Sequence, residues 1–181
     1  AGSLDAYLHA LGVEVEVELA PAAALGRAHQ LFQRTNQFNL TARRYPEAEL
    51  RARAADPGWR LFVLRARDRH GDHGLVAAAL VRVEGAAWTV DNLVLSCRAI
   101  GCGVETALLS AVSAAARAGG ARTLRGEFSD SGRNVPARDF WPRHGFAARG
   151  GDAGVERWER DLARGDVPPP AWVRMGGTDA T

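Results

Sequence analysis

The residues whose spacing most clearly suggests chemistry form the segment Arg98-Ala99-Ile100-Gly101-Cys102-Gly103. An apolar strand is predicted before this segment and a helix after it. Such a loop directs several backbone N–H groups toward one point, where the helix dipole adds positive potential. Glycine lets an oxygen anion approach the backbone closely, and Arg98 adds a charged donor. We therefore predict a phosphate or pyrophosphate site, although an ordinary strand-to-helix turn is the alternative. The spacing matches neither a P-loop nor a Rossmann fingerprint.

Candidate proton acceptors and nucleophiles lie on both sides of this loop in the sequence. Asp91 is on the strand before the loop and Glu127 is near the end of the next predicted strand, so either carboxylate is a candidate general base. For Asp91, an ion pair with an arginine is the alternative. Cys97 is a candidate covalent nucleophile, with a buried apolar role as the default. His144 is expected to pack at a helix end.

The remaining histidines and arginines favour simpler interpretations. His70 and His73 flank a predicted hairpin turn and are expected in solvent; no cysteines complete a zinc pattern, so no metal is expected. Four arginines form a local basic patch, which is either a solvated face or a docking site for an acidic partner. These are Arg43, Arg44, Arg51 and Arg53.

The predicted elements that position these residues alternate between helices and strands. They are helices over 4–12, 22–34 and 46–55, strands over 13–19, 59–67, 75–83 and 88–95, a helix over 103–118, a strand over 123–128, a helix over 135–144 and a strand over 155–161. Antiparallel hairpins followed by strand–helix–strand units indicate a single α/β domain with a mixed sheet and helices on both faces. We expect this domain over 13–162, an N-terminal helix or linker remnant over 1–12 and a tail over 163–181.

The loop and the order of elements together resemble the GNAT acyltransferases, whose signature is Q/R-x-x-G-x-G/A. The resemblance implies the GNAT fold and an acyl-CoA or phosphopantetheine donor. It implies that the donor's pyrophosphate binds the loop residues Arg98, Ala99, Ile100, Gly101, Cys102, Gly103 and Val104. It places the pantetheine arm against the backbone of Leu93 and Leu95. Asn134, followed by a helix and Gly145-Phe146, is similar to a later element of the family and is expected at the donor site.

The same resemblance implies an acceptor site and contains one departure. In GNAT folds the loop between the first two helices lines the acceptor pocket, so Asn36, Gln37 and Asn39 are acceptor-site candidates, with loop capping as the alternative. GNAT N-acetyltransferases commonly carry a tyrosine, as general acid, four residues before the Gly-Phe pair. Trp141 stands there in this sequence, which makes it a further acceptor-site candidate, but it has no proton to give at neutral pH. This weakens amine acetylation as the activity and leaves a catalytically inactive module as the alternative.

A narrower resemblance, covering residues 1–174, is to the C-terminal domain of FkbH-like proteins of polyketide biosynthesis. The segments that carry it are 33–44, 68–76, 95–98 with 103–109, and 134–146. It implies a bacterial antibiotic pathway and, as partner, an acyl carrier protein or a polyketide synthase module. In that family an N-terminal HAD-type domain makes glyceryl-acyl-carrier-protein. No motif of that domain is in this sequence, which looks like the GNAT half alone, excised or free-standing; the start Ala1-Gly2-Ser3 suggests a cut.

The composition limits the class of protein. The 181 residues carry 23 basic and 21 acidic side chains, and a net charge of +2 argues against a nucleic-acid-binding protein. Two cysteines are too few for a secreted disulfide framework, and no apolar run is long enough to span a membrane. We therefore expect a cytoplasmic protein that contacts neither nucleic acid nor membrane.

Overall fold

The structure is a computed structural model that describes residues 2–176. Its helices and strands, in chain order, are α1 (Gly2–Leu11), β1 (Val13–Leu19), α2 (Leu25–Arg34), β2 (Phe38–Asn39), α3 (Glu47–Ala55), β3 (Trp59–Asp68), β4 (Gly71–Glu84), β5 (Ala87–Leu95), α4 (Val104–Ala118), β6 (Thr123–Phe128), α5 (Phe140–Arg143), β7 (Ala147–Asp152), β8 (Val155–Asp161) and β9 (Val173–Met175). No described helix is both long and apolar enough to cross a membrane.

The strands form one mixed sheet in the order β7-β8-β6-β5-β4-β3-β1-β9, with β2 pairing only with β5. Strands β1, β3, β4 and β5 are joined by antiparallel pairs. Strands β5 and β6 are parallel, as a strand–helix–strand unit requires, and β6, β8 and β7 are antiparallel again. The mixed sheet predicted from the sequence is therefore confirmed.

The burial pattern explains why these segments form strands. In β1 the alternation of valine and glutamate buries Val13, Val15 and Val17, while most of the glutamates face solvent. In β5 all nine residues are buried, because helices cover both faces of the sheet at that point. One core cluster packs under α1 and α4, and a second packs under α2 and α3.

Two predicted elements are wrong in detail. The turn predicted at His70–Gly74 is shorter, because β4 already begins at Gly71 and register shifts in the β3–β4 pair absorb the extra residues. The helix predicted over 135–144 divides into a 3-10 turn at Val135–Ala137 and the four-residue α5. Pro136 and Pro142 each lack the N–H that a continuous helix needs.

The C-terminal segment folds against the rest of the domain. The Val167 N–H donates to Ser113 Oγ of α4 (3.0 Å), and the Trp172 indole N–H donates to the Cys102 carbonyl (2.8 Å). Strand β9 then pairs in parallel with β1. Over 163–176 the predicted tail is thus an ordered wrap, while 177–181 lie outside the described residues.

Candidate functional site

The glycine loop is open on one side and covered on the other. Gly101 (φ +89°) and Gly103 (φ +84°) both have the left-handed backbone that glycine tolerates best. A methyl group added at Gly101 would meet nothing within 4 Å, whereas one at Gly103 would lie 3.0 Å from the side chains of Pro170 and Trp172. The C-terminal segment therefore covers Gly103 and leaves Gly101 accessible.

The backbone N–H groups of the loop fall into two sets: some are hydrogen-bonded inside the loop and others have no backbone acceptor. The Ala99 N–H donates to the Ser96 carbonyl (2.9 Å) and the Cys102 N–H to the Ala99 carbonyl (3.3 Å), so these donors are used inside the loop. The N–H groups of Gly101 and of the first three residues of α4, Val104 to Thr106, have no backbone acceptor within residues 2–176. Arg98 is exposed and forms no ion pair there. Unshared amides at a helix N-terminus are suited to an anion.

In the second half of β5, which leads into this loop, β5 and β6 separate. Strand β2 lies in the space between them. The two strands pair only from Ala87 to Val90 with Thr123 to Gly126. Farther along β5, the Leu40 N–H donates to the Leu93 carbonyl (3.2 Å), and Phe38 pairs with Leu95. The backbone edge predicted to hold a pantetheine arm is thus occupied by the chain's own β2. A donor can use that edge only if β2 moves.

Asn134 fastens β2 from its other side. Its Nδ2 donates to the carbonyls of Asn39 (2.7 Å) and Ser129 (2.9 Å), and the Ser129 N–H donates to the Leu40 carbonyl (2.9 Å). Asn134 was predicted at the donor site. Its side chain instead holds β2 to the loop after β6.

Asn92 is the residue that sequence reasoning missed. Its fully buried amide makes four hydrogen bonds: Oδ1 accepts from the N–H groups of Thr41 (3.1 Å) and Leu93 (2.9 Å), and Nδ2 donates to Asn39 Oδ1 (2.8 Å) and the Arg43 carbonyl (3.3 Å). The sequence signal was an asparagine next to Asp91 in a strand whose other residues are mostly apolar, since buried amides need partners.

On the face of the sheet opposite α4, under α3, lies a cavity of about 390 Å³ that we call the α3-face cavity. Its charged lining consists of four arginines and three carboxylates: Arg43, Arg44, Arg53, Arg82, Glu49, Asp91 and Glu127. The structure thus brings the two predicted bases, Asp91 and Glu127, to one site, although they lie on different strands.

Two arginines link these carboxylates. Arg43 Nη1 lies 2.9 Å from Asp91 Oδ1, and Arg43 Nη2 lies 3.2 Å from Glu127 Oε2. Arg82 contacts both carboxylates as well. Burial opposes the charge of Arg43, but Glu127 and Asp91 outweigh it and raise the pKa of the guanidinium. The ion pair considered for Asp91 from the sequence is therefore present, and Glu127 shares it.

Tyr45 contributes a hydroxyl group to the α3-face cavity. Its Oη donates to Asp91 Oδ2 at 2.5 Å, and burial together with the Asp91 charge strongly raises the pKa of the phenol. Tyr45 is therefore neutral at physiological pH. Between the arginines and this phenol, both oxygens of Asp91 and of Glu127 already have a positively charged or hydrogen-bonding neighbour.

The predicted acceptor-site residues do not line this cavity. Asn36 is exposed and accepts from Arg44 (2.7 Å), Gln37 is exposed, and Asn39 belongs to the buried amide network around Asn92. The same loop contributes Arg43 and Tyr45 to the cavity instead. The predicted basic patch is also interrupted, because Arg51 and Arg53 pair with glutamates one turn earlier in α3.

Trp141 lies in the core on the α4 face. Its ring is fully buried and its indole N–H donates to the Glu127 carbonyl (3.0 Å). Gly126 lies directly against the ring, since a methyl group there would be 2.3 Å from two ring carbons. Trp141 is thus a packing residue attached to the backbone of β6, and its side chain is not in the α3-face cavity.

The other singled-out side chains have local structural contacts. His144 Nδ1 is 2.6 Å from the Phe140 carbonyl and Nε2 is 2.8 Å from Thr106 Oγ1, so Nδ1 carries the hydrogen and Nε2 accepts from the hydroxyl. Burial lowers the pKa of this imidazole. His73 pairs with Asp68 (3.0 Å), and Cys97 is exposed. The helix-end packing expected for His144 is therefore present. The buried role expected by default for Cys97 is wrong, because this side chain lies at the surface in the turn after β5.

The comparisons with known proteins address the fold. No protein-family model and no curated protein sequence matches this chain. Among solved structures, the ribosomal-protein-S18-alanine N-acetyltransferase of Escherichia coli is similar, with a TM-score of 0.64 and 16% identity over 92% of this chain and 99% of that chain. A Desulfovibrio desulfuricans protein described as a GNAT-family acetyltransferase has a TM-score of 0.59 and 20% identity over 83% of this chain and 99% of its own.

A third similar structure is an aminoglycoside acetyltransferase in complex with coenzyme A, with a TM-score of 0.61 and 14% identity over 83% of this chain and 98% of that chain. At these identities the likeness is one of fold. The chain has the GNAT fold, a single α/β domain with a mixed sheet, as the sequence predicted.

Proposed function

We propose that this chain is a GNAT-type acyltransferase that takes its acyl group from acyl-CoA or from the phosphopantetheine arm of an acyl carrier protein. The open side of the glycine loop carries the proposal: Gly101 is accessible, and the N–H groups of Val104 to Thr106 have no backbone acceptor within residues 2–176. A solved structure with the same fold contains coenzyme A, which supports this class of donor. The FkbH-like resemblance supports polyketide or related secondary metabolism as the setting.

The proposed division of labour follows the two faces of the sheet. The donor's phosphates bind at the glycine loop, and the acceptor enters the α3-face cavity. For the thioester to reach the acceptor, β2 must leave the edge of β5. An acceptor hydroxyl, amine or thiol must lose a proton as it attacks the thioester. Tyr45 donates to Asp91 at 2.5 Å, so its oxygen can accept that proton while its own proton passes to the carboxylate. Asp91 is therefore the proposed final proton acceptor, while Glu127 stays paired with Arg43 and Arg82. As the new bond to the acyl carbon forms, the C–S bond of the thioester breaks, and the donor leaves as a thiolate that takes a proton from solvent.

Replacing Gly101 with alanine is expected to weaken coenzyme A binding at least tenfold in isothermal titration calorimetry. The added methyl group would stand where a phosphate oxygen must approach the backbone. Gly120→Ala is the matched control, because Gly120 has nearly the same φ (+87° against +89°), equally open surroundings and a position at the other end of α4.

Both Gly101→Ala and Gly120→Ala should cost about 1 kcal/mol of folding free energy, since both force alanine into the left-handed region. Only Gly101→Ala should change coenzyme A binding. An unmodified chain that binds no coenzyme A, or two variants that bind it equally well, would contradict the proposed donor site.

The alternative function is a catalytically inactive GNAT-like module that docks an acyl carrier protein for a HAD-type glyceryl transferase. Specific observations favour it: β2 occupies the edge of β5 at Leu93 and Leu95, and arginines engage both candidate bases. Trp141, at the position of the general acid, is locked in the core.

Mass spectrometry separates the two functions. If the chain is an acyltransferase, incubation with acetyl-CoA and an acyl carrier protein should add one acetyl mass to the carrier's phosphopantetheine thiol. The chain contains no lysine, so background acylation of its own side-chain amines cannot obscure the result. A carrier protein that co-elutes with the chain but gains no mass would support the inactive module.

A further inference from the structure

We infer that the α3-face cavity binds a small molecule carrying a carboxylate or phosphate group. Its volume of about 390 Å³ lies in the range of small-molecule sites. Its lining has four arginines against three carboxylates, an excess of one positive charge. This inference rests on the proposed function in one respect, because it names the chemical class of the acceptor that was assigned to this cavity. Its test measures anion binding directly, so it can fail or succeed separately from acyl transfer.

The excess charge can be traced to Arg44. Among the lining residues, Asp91 and Glu127 are matched by Arg43 and Arg82, and Glu49 is matched by Arg53 one turn later in α3. Arg82 also lies 3.7 Å from Glu84, which does not line the cavity. Arg44 contacts only neutral oxygens, namely the carbonyls of Phe32 and Thr35 and the side chain of Asn36. Its charge has no acidic partner within residues 2–176, so the cavity carries a net attraction for anions.

Two guanidinium groups are placed to contact such an anion. Arg53 lies over the Trp59 ring, 4.3 Å from its centroid, which holds the planar group in place. Its nearest approach to Asp91 is 3.9 Å, too long for a hydrogen bond. The Arg82 Nε–H is buried without an aligned acceptor in the described structure, although Asp91 Oδ1 is 3.2 Å away. A ligand oxygen would contact the Arg53 guanidinium and the solvent-accessible part of the Arg82 side chain, while the Arg82 Nε–H itself is covered.

A cationic ligand finds no comparable partner in this cavity. A diamine would need two carboxylates that are free of arginine contacts, but Asp91 and Glu127 are shared among Arg43, Arg82 and Tyr45, and Glu49 pairs with Arg53. Displacing an arginine to bind an amine would leave that arginine uncompensated. The charge balance therefore selects carboxylates or phosphates and disfavours polyamines.

The test is an NMR titration of the ¹⁵N-labelled full chain with sodium malonate and, separately, with inorganic phosphate, both at constant ionic strength. The indole N–H resonance of Trp59, assigned from a Trp59→Phe sample, is expected to shift saturably with at least one of these anions. A response to malonate alone identifies a carboxylate ligand, and a response to phosphate alone identifies a phosphate ligand. Putrescine should give no saturable shift.

Arg53→Gln should weaken anion binding at least tenfold, while Arg51→Gln should leave it unchanged. The pair is matched, because both arginines lie on α3 and pair with a glutamate one turn earlier, but only Arg53 lines the cavity. The ¹⁵N spectra show directly whether each variant is folded. The inference is overturned if neither anion shifts Trp59 saturably, if Arg51→Gln weakens binding as much as Arg53→Gln, or if putrescine binds more tightly than both anions.

Discussion

Replacing Asn92 with alanine is expected to lower the free energy of unfolding by about 4 kcal/mol, because two buried N–H groups lose their acceptor. Asn39 Oδ1 loses one donor as well but keeps the Ala42 N–H (2.8 Å). The N–H groups of Thr41 and Leu93 and the side-chain oxygen of Asn39 all bond to this one amide, which is fully buried. A buried polar group left unsatisfied costs roughly 1–3 kcal/mol. Denaturant unfolding followed by tryptophan fluorescence measures the loss, and amide exchange at Leu40 and Thr41 should accelerate because β2 loses its anchor.

Asn36→Ala is the control for this experiment. Asn36 is an exposed asparagine before β2 whose side chain accepts only from Arg44, so its loss should cost less than about 1 kcal/mol. If Asn92→Ala were no more destabilising than Asn36→Ala, water would be replacing the buried amide, and β2 would not be fixed by it.

Replacing Arg43 with methionine is expected to destabilise the chain by about 3 kcal/mol, because two buried carboxylates then face each other with one arginine fewer. Arg43 donates to Asp91 and to Glu127, whose side chains are only 9% and 8% exposed. Removing one partner of a buried ion pair typically costs about 3–5 kcal/mol, and the remaining contact with Arg82 places this case at the lower end. The change is measured as a shift in the urea midpoint.

The control is Arg125→Met on β6, whose partner Glu159 is more exposed and lies 3.4 Å away. An ion pair of that kind contributes about 0–1 kcal/mol. Adding Glu127→Gln to Arg43→Met should recover part of the stability, since it removes one of the uncompensated charges. A double variant that is less stable than Arg43→Met would show that the two side chains do not act through their charges.

The sequence predicted those elements whose signal is local. Strands β1, β6 and β8 have the predicted bounds, and α4 begins one residue later than predicted, because alternation and glycine boundaries act within a few residues. The strand β2 could not be predicted in this way, since it has two residues and exists only through pairing with β5. Strand β7 is exposed along its length and shows no apolar alternation, so its pairing with β8 also left no local signal.

The candidate site likewise contains residues that could be selected from local sequence and contacts that could not. Asp91 and Glu127 were selected as carboxylates near strand ends, but Arg43 reaches Glu127 across 84 positions of the chain, and no spacing rule foresees such a contact. The contact of Trp172 with the glycine loop likewise joins residues far apart in the sequence. The donor and acceptor roles assigned from the sequence remain predictions, whereas the placement of their side chains is now described.

The pairing of β9 with β1 has a consequence for self-association. A β-sheet ends in rows of unbonded amides and carbonyls that readily recruit a strand from another molecule. At one end of this sheet, the three residues of β9 pair with Val13–Val15 and hydrogen-bond part of the free edge of β1. At the other end, the register of β7 is broken between Ala148 and Gly151, which interrupts a straight template. Within the described residues 2–176, neither margin therefore offers a long, regular surface for intermolecular strand addition.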